Sequence, residues 1–438
     1  MRQSFDVGIA RDGEGIVRRE RAIAVALVLG GQDRRETLEH LDELIQLADT
    51  AGADVVDQVI QPRARPDTAT WIGKGKAQHL AAVVDELGAD LILADDDLSP
   101  AQARNLEKLA GRPVVDRSGL ILDIFARRAR TREARTQVEL AQLTYLLPRL
   151  TRAWSHLERQ QGGIGLRGPG ETQLETDRRL VRTRIRQLQE ELKQIDRQRD
   201  TRRKGREDAY KVALVGYTNV GKSTLLNRLT GSAVLVEDRL FATLDATVRR
   251  LRLEDGNDVL LSDTVGFIRK LPHHLVASFR STLREAAEAD LLLHVVDISH
   301  PHMENQIRTV REVLQDLGAG ETPVLHVFNK ADLVEDPALL RRSEEWSPSV
   351  LVSATQGLRL DTLLKRVEES RGAGQRRLVL LVPWDRQEVA AQLRSAFRVL
   401  DHRSTPEGGL YLLSLPADSA ADLIRPFTKK GARIEEKW

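Results

Sequence analysis

The 438-residue chain has no cysteine. It can form no disulfide and run no thiolate chemistry. A reducing cytoplasm is therefore the expected location. No apolar run approaches the ~18 residues of a membrane span. The opening stretch, MRQSFDVGIARDGEG, has no apolar core of signal-peptide length. A transmembrane segment is not expected, and a peripheral membrane contact stays open without any feature to indicate it. Internal repeats and low-complexity tracts are missing too, which argues against solenoid or fibrous classes. Aromatic residues make up only 4%. What remains is ordinary for a globular protein: 41% hydrophobic and 30% charged residues, in a chain long enough for about two to four domains.

An excess of one charge is nearly absent overall, with a formal net of +2, but charge is unevenly spread. Between Leu120 and Tyr210 there are about 21 Lys/Arg against about 13 Asp/Glu. Such an excess suits a phosphate-rich partner. A plain solvated helix face would carry the same composition.

The periodicity divides the chain into four parts: residues 1–119, 120–207, 208–372 and 373–438. In the first, apolar runs (22–30, 54–61, 91–97, 112–116) alternate with helical patterns (34–52, 76–90, 99–111). That alternation predicts an α/β domain with a mostly parallel sheet. In the second, Leu140, Leu143, Leu147, Leu150, Trp154 and Leu157 form one heptad-like seam, and Val181, Ile185, Leu188, Leu192 and Ile195 another. Two antiparallel helices are expected, the first kinked at Pro148. Their tip would be RQQGGIGLRGPGETQ (159–173), with Arg159 and Arg167 available for phosphates. The charged run 197–208 reads as a linker. The third part alternates strands and helices again. A second linker, 371–377, leads to a small α+β domain with strands at 378–383 and 409–416 and helices at 387–401 and 418–431.

The third part carries the chemistry. GYTNVGKST (216–224) follows an apolar strand and opens a helical pattern, as a phosphate-binding P-loop requires. Gly216 and Gly221 let the backbone wrap phosphates. Lys222 reaches the β- and γ-phosphates, and Ser223 ligates Mg2+. Asp263, in DTVG, holds the same ion through water, and the Gly266 amide meets the γ-phosphate. In NKAD, Asp332 accepts two hydrogen bonds from guanine, which adenine does not offer. Asn329 braces that loop and Lys330 lies along the base. At the strand end LVSAT, backbone amides near Ala354 can meet the guanine O6. A switch hydroxyl is needed in LFATLDATVRR, and Thr243 is the first choice over Thr247. The motif order predicts a doubly wound sheet with GTP or GDP at its carboxyl end. The expected binding segments are Gly216, Tyr217, Thr218, Asn219, Val220, Gly221, Lys222, Ser223 and Thr224; Phe241, Ala242, Thr243, Leu244 and Asp245; Asp263, Thr264, Val265 and Gly266; Asn329, Lys330, Ala331 and Asp332; and Ser353, Ala354 and Thr355. Lys222, Thr243 and Gly266 are the candidate catalytic groups, and Ser223, Thr243 and Asp263 the candidate metal ligands. After DTVG stands Phe267, where many GTPases have a water-orienting glutamine. Intrinsic hydrolysis should therefore be slow.

Taken together, IGKGKAQHL, GGIGLRGPGETQLETDRR (162–179), GYTNVGKST, LFATLD, DTVGFIRKLPHHLVASFRSTLREAAEADLLLHVVD and NKAD resemble the HflX family of translation-associated GTPases. The glycine-rich 162–179 stretch discriminates, because most small GTPases lack it. Ala246 departs from the family, whose members more often have proline there. The resemblance implies binding to the large ribosomal subunit and its rRNA, with splitting or rescue of stalled ribosomes in the GTP-bound state. It also implies that ATP can bind at the N-terminal region, although no ATP motif is present there. Asn219 occupies the position where a related group, the potassium-activated GTPases, ligates K+; an ordinary loop asparagine would fit equally well. A monomer is expected. Two other readings stay open: a GTP-gated regulator of a protein or membrane partner, and an RNA-modification GTPase.

Overall fold

The computed structural model describes residues 10–11, 17–31, 33–150, 169–203, 209–231, 240–241, 243–244, 247–270, 285–373, 375–397, 399–416 and 420–435. Within them the chain divides into two compact units, Met1–Leu251 with Leu260–Leu358, and Arg252–Val259 with Arg359–Trp438.

The first sheet is parallel, in the order β2-β1-β3-β4, from β1 (Glu20–Leu29), β2 (Ala53–Arg63), β3 (Leu91–Ala94) and β4 (Val114–Asp116). Ala22 to Ala26 are fully buried, as expected for a central strand covered on both faces. Helix α1 (Arg34–Ala51) starts at Asp33, whose carboxylate accepts from the Arg35 amide, and stops at Gly52 in the left-handed region. Helix α2 (Lys74–Leu87) ends three residues earlier than its periodicity predicts, because Gly88 turns the chain at φ 59°. Helix α3 (Pro100–Ala110) has a capping box between Ser99 and Gln102.

Helix α4 (Arg117–Arg128) has no counterpart in the sequence reading. Residues 117–125 are all buried, so SGLILDIF shows no amphipathic stripe. Helix α5 (Arg132–Leu146) stops ahead of Pro148 and is not kinked by it. The ring would clash with the preceding turn, so the proline acts as a terminator. Helix α6 (Pro169–Arg203) continues through residues 197–203, which were expected to be linker. Arg184 pairs with Glu139 at 2.7 Å and Arg132 with Glu191 at 2.6 Å. The falling partner number sets α5 and α6 antiparallel. Trp154, Leu157, Arg159 and Arg167 lie outside the described residues.

The second sheet has the order β10-β9-β8-β5-β7-β6, from β5 (Tyr210–Gly216), β6 (Thr247–Arg252), β7 (Asp258–Asp263), β8 (Leu291–Asp297), β9 (Val324–Asn329) and β10 (Ser349–Leu351). Strands β5, β8, β9 and β10 run parallel. Helix α7 (Lys222–Thr230) follows β5, and α8 (Met303–Asp316) follows β8.

The second unit contains α9 (Leu360–Ala373) and a four-stranded antiparallel sheet. The run expected to be a linker at 371–377 is instead largely the end of α9 and the start of β11 (Gln375–Pro383). Beyond it come α10 (Gln387–Ala396), β12 (Val399–Ser404), β13 (Gly408–Pro416), α11 (Ala420–Lys429) and β14 (Arg433–Glu435). The helix expected over 387–401 therefore gives way to a strand, since its last apolar residues pair with β13. The order β12-β13-β11-β14 and the β-α-β-β-α-β succession are ferredoxin-like.

One buried pair sets an acid limit on the GTPase sheet. His294 and His326 are cross-strand neighbours with ring centroids 5.3 Å apart. Burial, and then His326, push His294 down to about 3. The unfolded chain takes up this proton below its ordinary value of about 6.5, whereas the folded chain resists it, so stability falls as pH drops. Between pH 7 and 5 this one group should cost about 2 kcal/mol. His294→Leu should accordingly lose less stability than the parent over that range, measured by urea denaturation at the two pH values.

Candidate functional site

The P-loop connects β5 to α7. Gly216 has φ 152° and Gly221 has φ 90°. A Cβ on Gly216 would lie 2.2 Å from the Val295 carbonyl oxygen, and one on Gly221 would lie 2.4 Å from Asn329 Nδ2. The loop therefore needs glycine at both points. Lys222 Nζ donates to the Gly216 carbonyl at 3.1 Å and the Tyr217 carbonyl at 2.7 Å. Two of its three protons are thus used to aim it, leaving one for a phosphate.

Ser223 Oγ lies 2.7 Å from Thr243 Oγ1 and donates to Asp263 Oδ2 at 2.6 Å. The three expected metal ligands are thus together. Asp263 Oδ1 is buried with no hydrogen-bond partner. Burial raises the Asp263 carboxyl, opposed by Lys222. It also lowers Lys222 to about 8, opposed by Asp263. Burial pushes both groups toward their neutral forms, and a bound cation and polyanion would each restore a charge. Hydroxyl and carboxylate oxygens with one unsatisfied carboxylate atom fit Mg2+, a hard cation that takes few protein ligands alongside phosphate.

At the other end, Asn329 braces the loops as expected. Its Nδ2 donates to the Val220 carbonyl and its Oδ1 accepts from the Ala354 amide, both at 2.9 Å. Ser353 Oγ sits 3.1 Å from the Thr355 hydroxyl and caps the Gln356 amide. Lys330 pairs with Asp297 at 2.7 Å, a partner absent from the sequence reading although it ends β8. Asp332 follows Ala331 in a short 3-10 turn, and its side chain is exposed. Thr224 is half-buried at the start of α7, and Asn219 is exposed with φ 60°. Thr264 turns inward, donating to the Leu214 carbonyl at 2.7 Å, and Val265 is buried behind it. Leu244 is buried; Ala242 and Asp245 lie outside the described residues.

Phe267 is also buried, 1% exposed. Its amide donates to the Gly216 carbonyl at 3.1 Å, and its carbonyl accepts from the Thr218 amide at 2.8 Å. The residue after DTVG is thus fastened to the P-loop by its backbone.

The sequence reading also missed what backs this site. The Phe241 ring meets Phe125 of α4 edge-on at 4.7 Å. The Tyr217 hydroxyl donates to Glu43 of α1. Lys270 bridges Asp95 and Asp96, each at 2.5 Å. His302 reaches Glu39 at 2.8 Å. His40, pushed down to about 4 chiefly by burial, is neutral and accepts from Arg269 at 2.7 Å. Glu39, Glu43, Asn219, Asp297 and Lys330 line a cleft of about 300 Å3 beside the P-loop.

A P-loop, a DTVG strand end and an NKAD strand end on one sheet, with Lys222, Ser223 and Asp263 converging, define a P-loop GTPase, which hydrolyses GTP to GDP and phosphate. Three family models match in succession: GTP-binding GTPase N-terminal over residues 38–126, GTP-binding GTPase Middle Region over 128–206, and 50S ribosome-binding GTPase over 211–330. The GTPase HflX of Caldanaerobacter subterraneus is 46% identical over 393 residues, 89% of this chain and 90% of the relative. That of Escherichia coli is 49% identical over 336 residues, 76% and 79% of the two chains. The chain belongs to the HflX family. A crystal structure described as SsGBP with GDP aligns over 80% of this chain and 98% of its own at 24% identity and a TM-score of 0.46. No helix among the described residues is long and apolar enough to cross a membrane.

Guanine selectivity is expected to rest on Asp332. Asp332→Asn should weaken GTP binding by roughly 2–5 kcal/mol and shift preference toward xanthine nucleotides. Competition titration with GTP and XTP checks this, and unchanged GTP affinity would remove the assignment.

Proposed function

We propose that this GTPase binds the large ribosomal subunit and splits or rescues stalled ribosomes. The supporting observation is the antiparallel α5/α6 pair, which lies in the stretch of basic excess, whose chain connection contains GGIGLRG (162–168) and whose second helix begins with PGETQ, expected to be part of the tip. A basic helical arm suits folded RNA, which is recognised by shape and phosphate contacts. The description of the model matched at 211–330, 50S ribosome-binding GTPase, supports the same partner.

In this reading the P-loop from Gly216 to Thr224 holds the phosphates, Asn329 to Asp332 and Ser353 to Thr355 hold guanine, and Ser223, Thr243 and Asp263 hold Mg2+. A Mg2+ ion held there would supply positive charge against the phosphates. The Phe267 side chain has no polar atom for water and its backbone groups are taken by the P-loop, so ordering of the switches by the ribosome supplies what the chain lacks. K+ ligated at Asn219 would add positive charge where negative charge develops.

Sucrose-gradient analysis of 70S ribosomes with protein and GTP, GDP or a non-hydrolysable analogue tests the reading. Splitting is expected with GTP and its analogue, not with GDP. The double variant Arg159→Glu, Arg167→Glu should lose large-subunit binding and keep GTP binding, and parental binding should fall steeply with salt. Co-sedimentation of the double variant at the parental level across the salt range would remove the arm from the interface.

The cation has its own test. Hydrolysis stimulated by large subunits should run faster in KCl than in NaCl at equal ionic strength, and Asn219→Ala should erase the difference. Equal parental rates in the two salts would leave ribosomal ordering alone.

A further inference from the structure

The segment after DTVG is held from two sides. On one side Phe267 pairs with the P-loop through its two backbone bonds. On the other, both backbone polar groups of Arg269 are taken. Its amide donates to the Tyr217 hydroxyl at 2.8 Å, and its carbonyl accepts from Arg117 Nη1 at 3.3 Å. Tyr217 and Arg117 are joined by Glu43, which accepts from both. Arg117 is itself 1% exposed and fixed by Asp95 Oδ1 at 3.0 Å and the His40 carbonyl at 3.0 Å. The P-loop tyrosine therefore spends its hydroxyl on the segment after DTVG and on Glu43, and the first domain supplies the carboxylate that holds the tyrosine.

Gly266 lies directly beside this held segment. A Cβ built on it would come within 2.8 Å of Thr218 Cα and 3.0 Å of Lys222 Nζ. The Gly266 backbone therefore packs against the P-loop beside the Lys222 ammonium, the group expected to meet a γ-phosphate. A donor fixed before the phosphate arrives costs no reorganisation when charge develops there. GDP has no γ-phosphate and gains nothing from such a donor.

We infer that Glu43 and Arg117, acting through Tyr217 and the Arg269 backbone, are positioning residues for hydrolysis that hold the Gly266 amide where the γ-phosphate is met. The polar groups of the three side chains are engaged with one another and with the Arg269 backbone. The plain alternative is that the buried charges only hold two domains together, as buried ion pairs often do without functional consequence.

The test compares Tyr217→Phe, Glu43→Gln and Glu43→Ala in the full-length protein. Tyr217→Phe removes one hydroxyl and keeps the ring. Single-turnover GTP hydrolysis, Kd for GDP and for a non-hydrolysable GTP analogue, and melting temperature are measured for each. In Tyr217→Phe the hydrolysis rate should fall roughly five- to tenfold and the analogue should bind more weakly, while Kd for GDP stays within about twofold. Glu43→Gln keeps an acceptor oxygen for the tyrosine, so its loss should be smaller than that of Glu43→Ala. Parental hydrolysis in Tyr217→Phe overturns the inference. So does a rise in rate, which would mean that the contact restrains the segment. Equal losses for GDP and the analogue, with a lowered melting temperature, would leave the network a structural role only.

Discussion

The Arg117 guanidinium is the contact on which the arrangement around the nucleotide site depends. It is buried between α1, the end of β3 and the segment after DTVG, and its hydrogen bonds tie the start of α4 to all three. A guanidinium taken out of water is costly unless its donors are all used. Glu43 and Asp95 supply the opposite charge, and two backbone carbonyls take further protons. Removing one carboxylate would leave a buried cation partly unpaired, which is more damaging than losing an exposed pair. The two domains are thus joined by groups that cannot separate without being rehydrated.

The same logic explains the polarity of that contact. The first domain presents Glu39, Glu43, Asp95 and Asp96, and the GTPase domain answers with Arg269, Lys270 and His302. Two of the answering residues follow Phe267 by two and three positions. Any movement of the DTVGF strand end must therefore stretch or break contacts to α1 and β3. Phe241, packed on Phe125, ties the segment carrying Thr243 to the same domain. On the inference drawn above, nucleotide state and these contacts are coupled, and by thermodynamic reciprocity a ligand of the first domain that shifted them would shift the balance between nucleotides.

The P-loop, the metal ligands and the alternation of strands and helices were legible because each depends on local chemistry. Glycine at 216 and 221, an oxygen at 223 and a strand before them leave little choice of structure. The fastening behind the site was not legible. Glu43 looks like any exposed-face residue of an amphipathic helix, and Arg117 begins a helix that shows no stripe. Only the tertiary arrangement brings them to Tyr217. Boundaries failed where a single residue overrode periodicity: Gly88 shortened α2, and Pro148 ended α5. In the last domain 399–401 reads as the tail of a helix, yet pairing with β13 makes it the start of a strand, a long-range choice that a local pattern does not contain.

Asp116 and Arg117 are adjacent, yet they serve different ends. Asp116 caps α4 through the Gly119 amide and also holds Tyr145 and Arg149 of the α5 region at 2.7 and 2.6 Å. Helix α6, antiparallel to α5, has 35 residues and so a length of about 52 Å. The register set by the Glu139–Arg184 and Arg132–Glu191 pairs places Tyr145 opposite α6 near Arg178, roughly 14 Å from the first residue of that helix and roughly 38 Å from its last. A tilt of about 2° at Asp116 would therefore move the nearer end by about 0.5 Å and the farther end by about 1.3 Å. The residue next to the buried guanidinium thus stands beside the end of the helix pair from which the glycine-rich connection leaves.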